Sequence, residues 1–158
     1  MERILFGDNQ FFGVNHLSEQ KGRESQNKFK NTSKIMEILD FNLEIGINTL
    51  MCTTYERVGE ICEIVRNDST KYSSFQIYPC MPYAHKYANA ITEHGIVGML
   101  KEYLTGRILK SVTKGTLALA QGDYLSMMKL LIDMEMEMFK GINTGVIFLQ
   151  NVVTDLVL

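Results

Sequence analysis

Apolar and polar positions alternate most legibly in residues 47–66, INTLMCTTYERVGEICEIVR. Ile47, Thr49, Leu50 and Met51 form a short β-branched and apolar run, the pattern of a strand buried on both faces. Val58, Ile61, Cys62 and Val65 then recur at i, i+3, i+4 and i+7, the stripe of a helix lying on a sheet. The polar residues 52–55 fall between them, at the strand's C-terminal end, where α/β proteins place their chemistry.

The rest of the chain reads as further copies of this unit. Residues 3–6, RILF, predict a first strand, and the glycine-containing polar stretch 7–16 is its exit. Residues 18–32 are polar and rich in Lys, Arg, Asn, Gln and Ser, which predicts a functional loop or lid rather than a simple turn. Asn31, Thr32 or Ser33 caps the next helix, whose inward face is Ile35, Ile38, Leu39, Asn42 and Ile45, with Gly46 closing it. Thr53 or Thr54 is placed to cap the helix of the 47–66 unit. Residues 75–80, FQIYPC, predict a third strand, with Pro79 marking its end or an irregularity. Residues 81–90 form the exit loop. From 89 to 141 the pattern is helical, ending in a helix capped by Asp123 and buried along Met127, Leu131, Met134 and Met138. Residues 146–149, VIFL, predict a fourth strand, with Gln150 and Asn151 at its exit.

Alternation of this kind predicts a parallel sheet with right-handed crossovers. Two architectures compete: an open doubly wound sheet and a (β/α)8 barrel. No G-x-G-x-x-G follows the first strand, so the nucleotide-binding open sheet loses its main signal. A whole barrel typically needs ~250 residues. The 158 residues here, ending in the apolar run VVTDLVL, are expected to form the amino-terminal half of a barrel, as one domain.

Composition narrows the partners. At 46% hydrophobic and 22% charged, the chain resembles an ordinary globular protein. A net charge of -2 offers no argument for nucleic acid or an anionic membrane. Neither a long apolar span nor a signal-peptide core is present, which predicts a cytoplasmic protein. Cys52, Cys62 and Cys80 match no zinc or redox spacing and are expected as reduced thiols.

In a parallel barrel the strand exits share one end. Residues 7–16, 52–55, 80–87 and 150–151 therefore converge. Asp8 and His85 are the candidates for proton transfer, and Lys86 for an anion or carbonyl. Asn9, Gln10, Thr53, Tyr55 and Asn151 are candidates for positioning a small-molecule substrate. Tyr78, Tyr83 and Tyr87 offer aromatic walls that suit a sugar. Arg57, near a helix start, is a further candidate for an anion. An alternative set, His16, Cys52, Cys80 and His85, has the mixed N/S character that zinc accepts and predicts a metal-dependent hydrolase or lyase. A third reading is non-catalytic: a half-barrel that self-associates through open strand edges.

The segments GDNQFFGVNHLSE, LMCTT, YPCMPYAHKYANA and VIFLQNVVTDL together resemble a group of barrel-like bacterial proteins about twice this long. The likeness spans nearly the whole chain and implies a barrel fold, with this chain as its amino-terminal fragment. It implies no particular activity. GINTLMCTTYERVGEI is also similar to the second strand of the aldo/keto reductases, where an Asp-Thr-Ala run precedes Tyr and Gly-Glu. In that comparison Cys52 holds the Asp position, and Tyr55 comes two residues before their Tyr. Lys86 follows strand three as theirs does, and Gln150 stands near their His. This second likeness implies NADP as the cofactor, with its phosphates held on later strands. The expectation taken forward is an enzyme acting on a small polar, phosphorylated or carbohydrate substrate.

Overall fold

The computed structural model describes residues 4–82 and 124–149. The chain divides into two compact units, Met1–Cys80 with Phe139–Phe148, and Met81–Met138 with Leu149–Leu158. The first contains most of the described core. Along the described chain the elements begin β1 (Phe6–Gly7), α1 (Glu19–Lys28), α2 (Thr32–Glu44), β2 (Thr49–Cys52) and α3 (Glu56–Asn67). Then come β3 (Gln76–Met81), α4 (Tyr124–Met136) and β4 (Phe148–Leu149). The strands form one four-stranded parallel sheet in the order β1-β2-β3-β4. Phe6 lies opposite Leu50 and Gly7 opposite Met51, while Thr49–Cys52 pairs with residues 76–79. Consecutive strands are adjacent and parallel, as the alternating sequence pattern predicts.

The α3 stripe is buried as expected, with Val58, Ile61, Cys62 and Val65 all on the inward face. On α2 the inward face is Thr32, Ile35, Met36, Leu39 and Asn42. Ile38 is half-buried and Ile45 exposed, so the buried stripe is turned toward Met36 relative to the expected one. Asn31 caps this helix through its side chain, which accepts from the Ser33 N–H at 3.2 Å. Gly46, at φ +83°, closes it in the left-handed conformation that glycine adopts without strain. Neither Thr53 nor Thr54 caps α3. The N-cap is Tyr55, with no side-chain bond.

Pro79 sits inside β3 opposite Cys52, not at the strand's end. The direction of the neighbouring N–H groups explains why it is tolerated. Gln76 N–H points to the β2 side, donating to the Asn48 carbonyl at 2.8 Å. Ile77 N–H points the other way, donating to Asn143 at 2.9 Å. Two residues on from Ile77, Pro79 presents its missing donor to that same far side, so the β2–β3 ladder loses nothing.

Residues 18–32 are mostly helix, not loop. Ser18 caps α1 by accepting from Lys21 N–H at 3.3 Å, Glu19 stands in the first turn and Lys28 in the last. Gln20–Glu24 and Glu19–Arg23 pair one turn apart along its surface. The helix has no apolar stripe because it buries almost nothing: Gly22 is its buried residue. There the chain backbones meet. A Cβ on Gly22 would stand 2.4 Å from the Gly13 carbonyl oxygen, and Gly13 itself adopts φ +76°.

In the second unit, Leu130, Leu131 and Glu135 of α4 are buried, while Met134 and Met138 are half-buried. The expected buried row is thus shared with Leu130 and Glu135. The side chain of Met127 and the cap Asp123 lie outside the described residues. No described helix is long and apolar enough to cross a membrane.

Replacing glycine by alanine inside a helix ordinarily stabilises it by up to ~1 kcal/mol. At Gly22 the sign inverts, because the methyl group meets backbone. Gly22→Ala is expected to lower the unfolding free energy by about 1–3 kcal/mol in urea titration, the usual cost of overpacking.

Candidate functional site

The site grows from the parallel pairing of β1 with β2. Because Gly7 lies opposite Met51, the residues leaving the two strands, Asp8 and Thr53, emerge side by side. Asp8 Oδ2 accepts from the Thr53 backbone N–H at 3.0 Å and from Thr53 Oγ1 at 3.3 Å. One carboxylate thereby joins the two strand exits. Asp8 is buried, with 6% of its surface exposed. Beyond it the chain turns tightly, with Phe11 N–H donating to the Asp8 carbonyl and Val14 N–H to that of Asn9. Gln10 folds back, its Nε2 donating to the Gly7 carbonyl at 3.0 Å. Asn9 is exposed at the tip of the turn.

Burial opposes ionisation of Asp8 more than the Thr53 donors favour it, and its carboxyl titrates above the ordinary value near 3.8. Such a group is suited to taking or giving a proton. Cys52 lies close by, buried at the end of β2. Burial, with the nearby Asp8 charge second, pushes its thiol well above the usual range. It is held as a neutral thiol, the poorer form both for nucleophilic attack and for zinc.

An aromatic and cationic edge borders this centre. The Phe12 and Tyr55 rings approach to 4.3 Å between centroids, and the Arg57 guanidinium sits 5.1 Å from the Phe12 centroid. Arg57 also donates to the carbonyl of Phe29 and, at 3.3 Å, to that of Phe11. Its fork of donors is turned onto backbone carbonyls, so it ties its own helix to two other segments of chain rather than standing open for an anion. Thr54 is buried, and its Oγ1 has no hydrogen-bond partner among the described residues.

Of the residues expected to act together, Asp8, Asn9, Gln10, Thr53 and Tyr55 are gathered at the β1 and β2 exits. Gln10 is occupied in the turn. Thr53 supports Asp8. His85, Lys86, Asn151, Gln150, Tyr83 and Tyr87 lie outside the described residues. From the zinc set, His16 is exposed in the loop before α1, Cys52 is buried, and Cys80 is half-buried on β3. Among the described residues no group of three His, Cys, Asp or Glu side chains is placed to hold a metal ion. Phe12 is not among the expected site residues, and Arg57, a candidate for an anion, is instead engaged with Phe12 and two backbone carbonyls. The adjacent Phe11 and Phe12 in a polar stretch were the available signal: Phe11 is fully buried, between the rings of Phe6 and Phe29, while Phe12 faces Tyr55.

No family model, curated protein or solved structure matches the chain.

Raising the folded-state value of an acid means that the folded state holds the proton more tightly than the unfolded one. Asp8 therefore contributes its full stability below its unfolded value, and that contribution is lost as pH rises through the folded value. Asp8→Asn removes the ionisable group. The melting temperature of the variant, relative to the parent, is expected to be higher at pH 7 than at pH 4; a difference independent of pH would contradict the assignment.

Proposed function

We propose that the chain supplies one side of the active site of a (β/α)8-type enzyme acting on a small polar, phosphorylated or carbohydrate substrate, with Asp8 as its proton-transferring group. The observation that carries this reading is the buried Asp8 carboxyl, fixed by both donors of Thr53 at the C-terminal edge of a parallel sheet. That edge is where α/β enzymes collect their catalytic side chains. A carboxyl whose ionisation is opposed by burial is matched to proton transfer nearer neutral pH than a solvated one. Asn9, at the exposed tip of the same turn, is assigned to substrate hydroxyl or carbonyl groups. Tyr55 and Phe12 give an apolar face beside it, and Thr53 is the positioning residue for Asp8. The half-barrel architecture, a cytoplasmic location and the resemblance to barrel-like bacterial proteins belong to the same reading. The order of the sheet and the shared end of its first two exits are its support.

A panel of sugar phosphates, polyols and hydroxy acids, screened by thermal shift and followed by calorimetry, tests it. At least one compound is expected to bind, with affinity reduced about tenfold or more by Asp8→Asn, the loss typical of a hydrogen bond to a charged group. Binding that Asp8→Asn leaves unchanged, or that NMR maps to the opposite edge around Gly46 and Gln76, would reject the proposal.

A further inference from the structure

Helix α1 and the turn that carries Asp8 are packed together in an unusual way. The helix presents Glu19, Gln20, Lys21, Arg23, Glu24 and Lys28 to solvent and buries Gly22. It lies against the turn through backbone contact of Gly22 with Gly13, and through the Phe29 ring, which meets Phe11 edge-on at 5.0 Å. Among the described residues, the hydrogen bond that ties residues 19–30 to the rest of the unit is the one from Arg57 to the Phe29 carbonyl. Both flanks are exposed: Asn15, His16 and Leu17 before the helix, Leu17 at 98%, and Lys30 and Asn31 after it. The helix thus buries only Gly22 of its own residues, is held by one side-chain hydrogen bond besides the Phe29–Phe11 contact, and has solvated connections at each end. Segments with those properties open at low free energy while the core stays folded.

We propose that α1 is a lid over the Asp8 turn and that Arg57 is its latch. This rests on the reading of Asp8 as the working group: with 6% of its surface exposed, Asp8 must be uncovered before a substrate reaches it. When Arg57 lets go of Phe29, the helix swings on its two flanks and frees Phe11 and Gly13, and with them the turn that begins at Asp8. The same guanidinium stays on Phe12 and the Phe11 carbonyl, so the latch remains anchored on the site side while the lid is open. Closing restores the Phe11–Phe29 contact and seals the turn that begins at Asp8, the role lids play in many enzymes.

Native-state hydrogen exchange on the ligand-free chain tests the lid without any substrate. Amides of residues 19–29 are expected to exchange by a local opening, distinct from the global unfolding that exposes residues 56–67. Arg57→Lys keeps the charge but loses the planar fork. It should speed exchange of α1 about tenfold or more, the effect of one charge-assisted bond, beyond any change in global stability measured by urea. Gly22→Ala, which pushes on the helix from the other side, should do the same without touching Arg57. Exchange of α1 only through global unfolding overturns the proposal, as does acceleration by either variant that is equal in α1 and α3. Because no ligand is present, these outcomes are separate from the fate of the Asp8 reading, which the binding experiment decides.

Discussion

The pairing of Asp8 with Thr53 is the constraint on which this account of the site depends. It is a contact 45 residues apart in sequence, made possible by the register that sets Gly7 beside Met51. A shift of one residue in that register would turn every side chain of β1 to the other face and carry Asp8 away from Thr53. The bond also works in the other direction, fixing the two strand exits at one height. Two donors from one residue converge on one oxygen, so the carboxyl is oriented as well as buried. Burial of a carboxyl is costly unless it is hydrogen-bonded, and here the bonding is enough to hold the group in place without restoring its ordinary acidity.

Around that pair the chain uses backbone more than side chains. Gly13 and Gly22 bring a turn and a helix into contact with no side chain between them. Arg57 spends its donors on the carbonyls of Phe11 and Phe29 and its face on Phe12. A guanidinium has five donors in a rigid fork, which lets one residue hold several loops that share no secondary structure. The opposite end of the unit is held differently. There Lys71 and Tyr72 both bind Asp40, at 2.8 Å each, tying α2 to the segment leading into β3. A shallow cavity of about 230 Å3 beside that segment is lined by Val65, Tyr72 and Phe75 together with exposed polar residues.

Much of the fold was legible because it rests on periodicity. The α3 stripe of Val58, Ile61, Cys62 and Val65, the left-handed Gly46 and a cap among Asn31, Thr32 and Ser33 follow from spacing and local chemistry alone; the structure selects Asn31. What escaped was set by tertiary contact. Helix α1 carries no apolar stripe, so the hydrophobic pattern was silent; its Ser18 cap and i,i+4 pairs were there to be weighed. Pro79 was tolerated in mid-strand because its nitrogen faces away from β2, which no local pattern reveals. Asp8 and Thr53 were each recognisable as candidates, since both follow a predicted strand. That they bond to each other depends on the register, and the turn of Arg57 away from solvent depends on where Phe11 and Phe29 arrive.

The Asp8 carboxyl is buried and held by Thr53 at the sheet's C-terminal edge, and the proposed function rests on that burial raising its affinity for a proton. An NMR titration of its side-chain carboxyl carbon tests this most directly. A midpoint above the ordinary value near 3.8 is expected, moved further above it when Thr53→Val removes the hydroxyl donor that favours the ionised form. A midpoint at or below 3.8 in the parent protein, as for a solvated or strongly ion-paired carboxylate, would contradict it.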